Sequence, residues 1–363
     1  MKIYVAGSVA YDEIMDFPHH FKDYFHPEKL HQINVSFAVS DLAKHLGGIT
    51  TNIVYALRNT TVFYANSKSE TLNTKQMKQN SKIEIYPVAA VGRDGGELLD
   101  FFKKNKIDCT YVQKDEKLYT ATGKVITDKN DNQIWGFYYG ACALNPKLET
   151  LNSKQIKQNS KSETGNDFWV IAATHERPFS TALRFVINNK LPYMFDPGMT
   201  LTWIKDALLK KGVMNAQYVI GNDYEIAMIE KRLGTTVKEL VEKGINVITT
   251  LGEKGVRYDG SGVISTEVEK SQRLRSLDSK KALNSLEMTI KAVKLKKVVD
   301  PTGAGDAWRG GFVGALVAGK SLRECLVMGN VMASFAVEHV GTVEYTVNEV
   351  EIKRRIKTLN SKI

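Results

Sequence analysis

Asp300-Pro301-Thr302-Gly303-Ala304-Gly305-Asp306-Ala307-Trp308-Arg309-Gly310-Gly311-Phe312 follows the apolar pair Val298-Val299, which reads as a strand, and opens a run with helical spacing. Gly303, Ala304 and Gly305 put small residues at a helix N-terminus. Free backbone N–H groups and the positive end of the helix dipole meet there, a setting that suits an anion. Small side chains let a phosphate approach the backbone. Asp306 falls in the first helical turn. It is either an ordinary helix-start residue or a carboxylate placed to take a proton from a hydroxyl attacking that phosphate. A bare Gly-x-Gly-Asp would favour the first reading. Thirteen residues in this order after a strand are far more specific.

Outward from this stretch the chain alternates. Residues 2–6, 61–65, 84–91, 168–173, 193–195, 218–220 and 247–250 read as strands. Helical patterns cover 48–58, 94–105, 178–189, 201–211, 223–232, 304–318 and 321–338. Strands alternating with helices predict an α/β protein: a mostly parallel central sheet covered on both faces, with ligands outside the carboxyl ends of the strands. Residues 11–39 and 108–139 break the pattern with alternating aromatic and β-branched residues, as in Asn34-Val35-Ser36-Phe37-Ala38-Val39. They are expected to form a small separate β-sheet, a lid over the site.

The 363 residues carry a net charge of +10. That excess belongs to three polar segments, 66–84, 147–166 and 269–297, and the remaining chain is balanced. Two of them repeat: Thr71–Lys82 and Thr150–Lys161 differ only at Thr74/Ser153 and Met77/Ile156. Their Asn, Ser, Lys and Gln content has little to bury, so all three read as low-complexity surface insertions. A basic surface of this kind is a solvated one, and no nucleic-acid partner is expected. No apolar run is long enough for a membrane span. Cys109, Cys142 and Cys325 lack metal or disulfide spacing, which fits a reducing, cytoplasmic setting.

The stretch at 300–312 resembles the C-terminal signature of the ribokinase, or phosphofructokinase-B (PfkB), family of carbohydrate kinases. The resemblance implies a ribokinase-like three-layer sandwich over residues 1–345, with 346–363 as a C-terminal helix and tail. It implies Asp306 as catalytic base, with Gly303, Ala304 and Gly305 as the anion hole. Asp300 and Thr302 would help hold a monovalent cation such as K+. Trp308 stands where the family usually has Phe and should pack toward the core. Gly7-Ser8-Val9-Ala10-Tyr11-Asp12 resembles the family's opening motif, whose Asp grips two sugar hydroxyls; a carboxylate can accept both. Gly47-Gly48-Ile49-Thr50-Thr51-Asn52 resembles its N-terminal signature, implying substrate contacts at Gly47, Gly48 and Asn52. Asn222-Asp223-Tyr224-Glu225 matches Asn-x-x-Glu, implying that Asn222 and Glu225 order Mg2+ and its waters; by itself the tetrapeptide is an ordinary helix cap. Thr250, Gly252, Gly255 and Asn330 match nucleotide-binding positions. ATP is the implied phosphate donor, and no Gly-Lys-Ser/Thr phosphate loop is present.

Within the family the chain looks like a bacterial subgroup similar to adenosine kinases, through its opening motif and Phe195-Asp196-Pro197-Gly198. The implied reaction is transfer of a γ-phosphate to a hydroxymethyl group of adenosine or a related ribonucleoside. A free sugar such as ribose or fructose is the alternative, and a non-catalytic ligand sensor a weaker one. Phe37, Trp135, Phe137 and Tyr138 could stack on a base or pack on one another. The lid could also join two copies as a homodimer.

Overall fold

The computed structural model describes residues 1–25, 34–69, 83–130, 132–148, 167–261 and 285–360. Nine strands form one sheet in the order β13-β12-β11-β10-β9-β8-β1-β4-β5. These are β1 (Lys2–Ala6), β4 (Glu84–Val91), β5 (Val112–Lys114), β8 (Phe168–Ala172), β9 (Tyr193–Asp196), β10 (Tyr218–Asn222), β11 (Asn246–Thr250), β12 (Val256–Ser261) and β13 (Ser285–Ile290). Pairing is parallel from β5 across to β11, and β12 and β13 close the edge antiparallel. Side chains of β1 alternate between two cores. Ile3 and Val5 join one apolar cluster, and Tyr4 and Ala6 join the other. A parallel sheet buried on both faces needs helices on both, and that is the arrangement found.

One face carries α1 (Ile49–Ser69), α2 (Gly96–Lys104), α7 (Ala304–Val317), α8 (Leu322–Ala336) and α9 (Glu349–Asn360). The other carries α3 (Glu176–Asn188), α4 (Asp206–Asn215), α5 (Asp223–Leu233) and α6 (Val237–Glu242). A four-stranded sheet stands apart in the order β3-β2-β6-β7, from β2 (Ala10–Asp16), β3 (Asp41–Gly47), β6 (Ala121–Thr127) and β7 (Gln133–Tyr138). The architecture is the ribokinase-like one: a large, mostly parallel sheet between helices, with a small second sheet. Among the described residues no helix is long and apolar enough to cross a membrane.

Several boundaries differ from those read in the sequence. Residues 61–65 continue α1. Their β-branched and aromatic side chains look strand-like, but Thr60 and Thr61 donate to carbonyls at Ala56 and Arg58 (both 2.9 Å) and Phe63 and Tyr64 are buried. Burial of that face overrides local preference. Residues 34–39 form no strand, and the lid strand lies later, at Asp41–Gly47. Within 108–139, Val112–Lys114 joins the main sheet through β4. The segment 269–297 contains β13, whose Leu286 and Met288 pack on the core, so part of it is sheet rather than insertion. The repeats lie mostly outside the described residues, although Asn66–Ser69 extend α1. Val298 and Val299 are exposed and not a strand. Instead the Val299 N–H donates to the Val337 carbonyl, 2.7 Å away, so the signature loop hangs from the end of α8.

The contact between α1 and α7 is unusually close because α7 has no side chains on the facing ridge. A Cβ on Gly310 would fall 2.5 Å from the Ala56 Cβ and 2.6 Å from the Ile53 carbonyl oxygen. One on Gly314, four residues along the same face, would meet the Thr60 Cβ at 2.6 Å. On the α8 side, Gly311 faces the Met328 carbonyl at 2.7 Å. We therefore expect Gly310→Val to force the helices apart. Overpacking of this kind costs roughly 1–3 kcal/mol, and should lower the urea midpoint without changing the secondary structure seen by circular dichroism.

Candidate active site

Parallel strands end on one edge of the sheet, and the side chains at those ends converge there. A cleft of about 700 Å³ is lined by Asp196 at the end of β9, Asn222 at the end of β10 and Thr250 at the end of β11. Leu251 and Gly252 beyond β11, Gly198 and Met199 beyond β9, and Glu225 of α5 complete one wall. Gly305, Asp306 and Arg309 of α7 form the other.

Gly303 caps α7 in the left-handed region, with φ 76°. The first-turn N–H groups that follow have no acceptor inside the helix. That of Ala304 leans back on the Pro301 carbonyl at 3.3 Å. Asp306 projects beside them. Its Oδ2 accepts 2.8 Å from Nδ2 of Asn52, whose Oδ1 in turn accepts 2.7 Å from the Thr342 hydroxyl. Thr342 packs against the bare Cα of Gly303. Asn52 is buried with its carboxamide turned to Asp306, so the contact it makes is with that carboxylate. Burial pushes the Asp306 carboxyl up to about 6, and Asp196 and Asp12 add to the rise, while Arg309 and the Asn52 bond oppose it.

Asp12 lies on β2, opposite His45 of β3 and Gly123 of β6. Its carboxyl is likewise raised to about 6, first by burial; His45 opposes the rise and Glu344 and Asp300 reinforce it. Gly47 is a glycine because a Cβ there would collide with the Asp12 carboxylate. Gly48, at φ 87°, lies against backbone atoms of Ser8, Val9 and Ala10. The Thr50 N–H donates 2.9 Å to the Ser8 carbonyl. These contacts tie the start of α1 to the turn that leads into β2 and Asp12. A Cβ on Gly123 would meet Asp12 Oδ1 at 3.0 Å, Trp135 at 3.1 Å and Phe137 at 3.5 Å. The bare Cα of Gly123 thus lets a carboxylate and two rings, 51% and 41% exposed, close in on one point. Phe37 stands elsewhere, packed on Phe17, Phe21, Tyr24 and Phe25.

Asn222 and Glu225 form a capping box. Asn222 Oδ1 accepts from the Glu225 N–H and Glu225 Oε2 from the Asn222 N–H, both 2.8 Å. Glu225 Oε1 is left over. Among the described residues no three His, Cys, Asp or Glu are grouped to hold a metal ion by themselves. A Mg2+ ion, which keeps several waters and leans on phosphates, still fits that one free oxygen. Asp300 accepts from the N–H groups of Thr302 (2.8 Å) and Gly341 (3.1 Å), fixing the loop outside the cleft wall. Each of its oxygens keeps a second lone pair.

Two expected nucleotide contacts are absorbed by packing. Gly255, at φ 101°, lies against the end of β13. Asn330 is buried, accepting 2.8 Å from the Trp308 indole N–H and donating to the carbonyls of Ile290 and Lys291 at 3.1 and 2.8 Å. Trp in place of Phe brings a buried donor that needs an acceptor, and Asn330 supplies it. Conversely, Arg309 and Asp196 carried no role in the sequence reading yet both line the cleft. The signal was present: Arg309 stands three residues after Asp306, on the same helix face, in an otherwise small and apolar segment.

The family model for pfkB family carbohydrate kinases matches residues 9–348. A nucleoside kinase of Methanocaldococcus jannaschii is 27% identical over 344 residues, covering 94% of this chain and 91% of that protein. A nucleoside kinase of Methanothermobacter thermautotrophicus is 29% identical over 258 residues, covering 70% and 73%. The structure of Burkholderia thailandensis nucleoside kinase in complex with inosine superposes with a TM-score of 0.71 at 23% identity, covering 99% of this chain and 97% of that one. At that identity the likeness speaks for the fold.

The Asn52–Asp306 bond favours the ionised carboxylate, so its removal should make Asp306 harder to ionise. A hydrogen bond to a charged group contributes about 1.5–3 kcal/mol, and 1.36 kcal/mol corresponds to one pKa unit. In Asn52→Ala the Asp306 titration midpoint should therefore rise by about one pH unit. Carbon-13 NMR of labelled Asp, with Asp306→Asn to assign the resonance, reads it directly.

Proposed function

We propose that this chain, which belongs to the pfkB family of carbohydrate kinases and is an ATP-dependent kinase of a sugar or nucleoside, acts on adenosine or a related ribonucleoside. The observation that carries the nucleoside reading is the grouping of Asp12 with the exposed rings of Trp135 and Phe137 around Gly123. There Asp12 can take a ribose diol while Trp135 and Phe137 face the attached base. A free pentose would leave those rings in water. The nucleoside kinases among its relatives support the same reading.

In this reading Asp306 is the general base. With Oδ2 held by Asn52, Oδ1 takes the proton of the acceptor hydroxymethyl group as its oxygen attacks the γ-phosphorus. The N–H groups of the first α7 turn receive the phosphoryl oxygens, an electrostatic role that needs no reorganisation. Thr250 and Gly252 border the space for ATP. Asn222 and Glu225 would hold Mg2+ through water, and that ion would neutralise phosphate charge. Asp300 and Thr302 would steady a K+ ion beside the loop. A second copy would dock on the other face of β7, where Ile134 and Tyr138 are exposed, and sedimentation with and without Tyr138→Lys tests that.

Asp306→Asn should lower kcat by about two to four orders of magnitude while ADP still binds in calorimetry. Both Asp306 and Asp12 must be ionised in the free enzyme, and both carboxyls titrate at about 6. A raised carboxyl is protonated below its midpoint, so activity is lost on the acid side. The logarithm of kcat/KM should fall below pH 6 with a slope approaching two, and Asp12→Asn should reduce that slope to one. ADP release measured with adenosine, inosine, ribose and fructose decides the substrate class. Removing the 2′-hydroxyl of the preferred nucleoside leaves a buried acceptor partly unpaired, at roughly 1–3 kcal/mol, so kcat/KM should drop about tenfold or more. Ribose as the best acceptor, or a deoxynucleoside used equally well, would overturn the nucleoside reading.

A further inference from the structure

Among the described residues lining the cleft, Arg309 is the only cation, and it faces four carboxylates: Asp196, Asp223, Glu225 and Asp306. Its guanidinium is 7% exposed. Burying a guanidinium costs several kcal/mol unless it is paired and hydrogen-bonded. Part of that cost is offset by Asp196, itself 2% exposed. Nη2 donates to Asp196 Oδ1 at 2.7 Å, and Nε lies 2.5 Å from Oδ2. Nε makes no hydrogen bond in that ion pair, so Asp196 holds the fork through the Nη2 bond and the charge contact. The remaining nitrogen, Nη1, points the other way. It lies 2.6 Å from where a Cβ on Gly305 would sit, directly against the first turn of α7. Among the described residues no acceptor takes its two N–H groups.

An ion pair needed only for packing would satisfy the whole fork or turn the remainder to bulk water. Here two fixed donors stand beside backbone N–H groups already suited to an anion, and the glycine at 305 is what lets them approach. The surrounding carboxylates would otherwise repel a triphosphate. We propose that Arg309 is a catalytic residue of the phosphoryl transfer, its Nη1 group binding a non-bridging oxygen of the γ-phosphoryl group in flight, and that Asp196 is the positioning residue that aims it. In the step itself the acceptor oxygen forms its bond to the γ-phosphorus as the bond to the ADP oxygen breaks. ADP leaves with the electron pair, the acceptor proton passes to Asp306, and Arg309 exchanges no proton. A fixed guanidinium matters most when charge spreads onto the equatorial oxygens, so it should affect kcat more than substrate binding.

The inference rests on the kinase site proposed above, and the test separates the two. Arg309→Ala, Arg309→Lys, Asp196→Asn and Asp306→Asn are compared for kcat, KM and the affinity for ADP with and without aluminium fluoride, in the presence of the preferred nucleoside. Arg309→Ala should lose about 100-fold or more in kcat with KM within about threefold. It should also lose the tightening that aluminium fluoride gives, and recover turnover on addition of guanidinium chloride but not sodium chloride. Asp306 is kept ionised partly by this cation, so the acid limb of kcat should also move to higher pH; the guanidinium rescue and the aluminium fluoride tightening are the readouts that a packing role would not move. Asp196→Asn should show a smaller loss of the same kind. Native kcat in Arg309→Ala overturns the proposal, as does a loss that guanidinium does not rescue and that leaves the aluminium fluoride tightening intact. If Arg309→Ala does not fold, Arg309→Lys is read in the same binding assay, where native tightening overturns the proposal and its loss supports it. Normal turnover in Asp306→Asn would bring down the site reading itself. A dead Asp306→Asn beside a normal Arg309→Ala would remove Arg309 alone.

Discussion

The 2.8 Å hydrogen bond from Asn52 to Asp306 joins the two halves of the site, and it exists only because α1 and α7 lie nearly backbone to backbone. Asn52 is in the first turn of α1 and Asp306 in the first turn of α7. Carboxamide and carboxylate are short side chains, so their meeting fixes how far apart the helices can stand. Gly310 and Gly314 make that distance attainable. The start of α1 is in turn hydrogen-bonded to the turn between β1 and β2, which leads into the strand that carries Asp12. One close helix contact thus sets the spacing between the two buried carboxylates, Asp12 and Asp306. Beyond them stands Thr342, whose hydroxyl donates to Asn52 and whose methyl side packs on Gly303. Loop, helix start and base are over-determined by contacts that lie outside the cleft.

The electrostatics follow from the same closeness. Burial alone would keep both Asp12 and Asp306 protonated well into the range where a base is needed. Arg309 and Asn52 bring Asp306 back toward ionisation, and His45, paired through Nδ1 with Glu344 at 3.0 Å, works in that direction on Asp12. Each carboxylate therefore has its own opposing partner within a cleft that is acidic as a whole. Such a balance resists any single substitution of charge, because every group is close enough to perturb its neighbours.

The layered α/β architecture and the place of the candidate site were legible in the chain because both are written in local patterns. Apolar runs of strand length alternate with helical spacing, and Gly303 to Asp306 stand together in sequence. What escaped was decided by partners distant in sequence. Residues 61–65 carry a strand-like composition, yet threonine hydroxyls bonded within the helix and burial of Phe63 and Tyr64 hold them in α1. Val298-Val299 looks like a strand leading into the signature, but its hydrogen bond goes to Val337. Leu286 and Met288 sit in a basic segment that reads as insertion until β12 offers an edge to pair with. Asn330 reads as a ligand contact, and only the structure shows that the indole of Trp308 claims it. Arg309 was in plain view, but its meaning depends on Asp196, more than a hundred residues earlier.

These cases share one physical cause. A polar side chain in a buried position must find a partner, and sequence reports the need without reporting who meets it. Where protein atoms meet it fully, as for Asn330, the polar atoms of the side chain are taken up by the fold. Where they meet it in part, the unmet remainder points outward from the fold. Among the described residues Asp306 Oδ1, Glu225 Oε1 and Arg309 Nη1 have no hydrogen-bond partner, and all three side chains line the same cleft. The open atoms are an oxygen that can accept a proton, an oxygen that can take a hydrated cation and a nitrogen that can donate to an anion. A phosphorylated donor with its metal and an acceptor hydroxyl would complete all three at once.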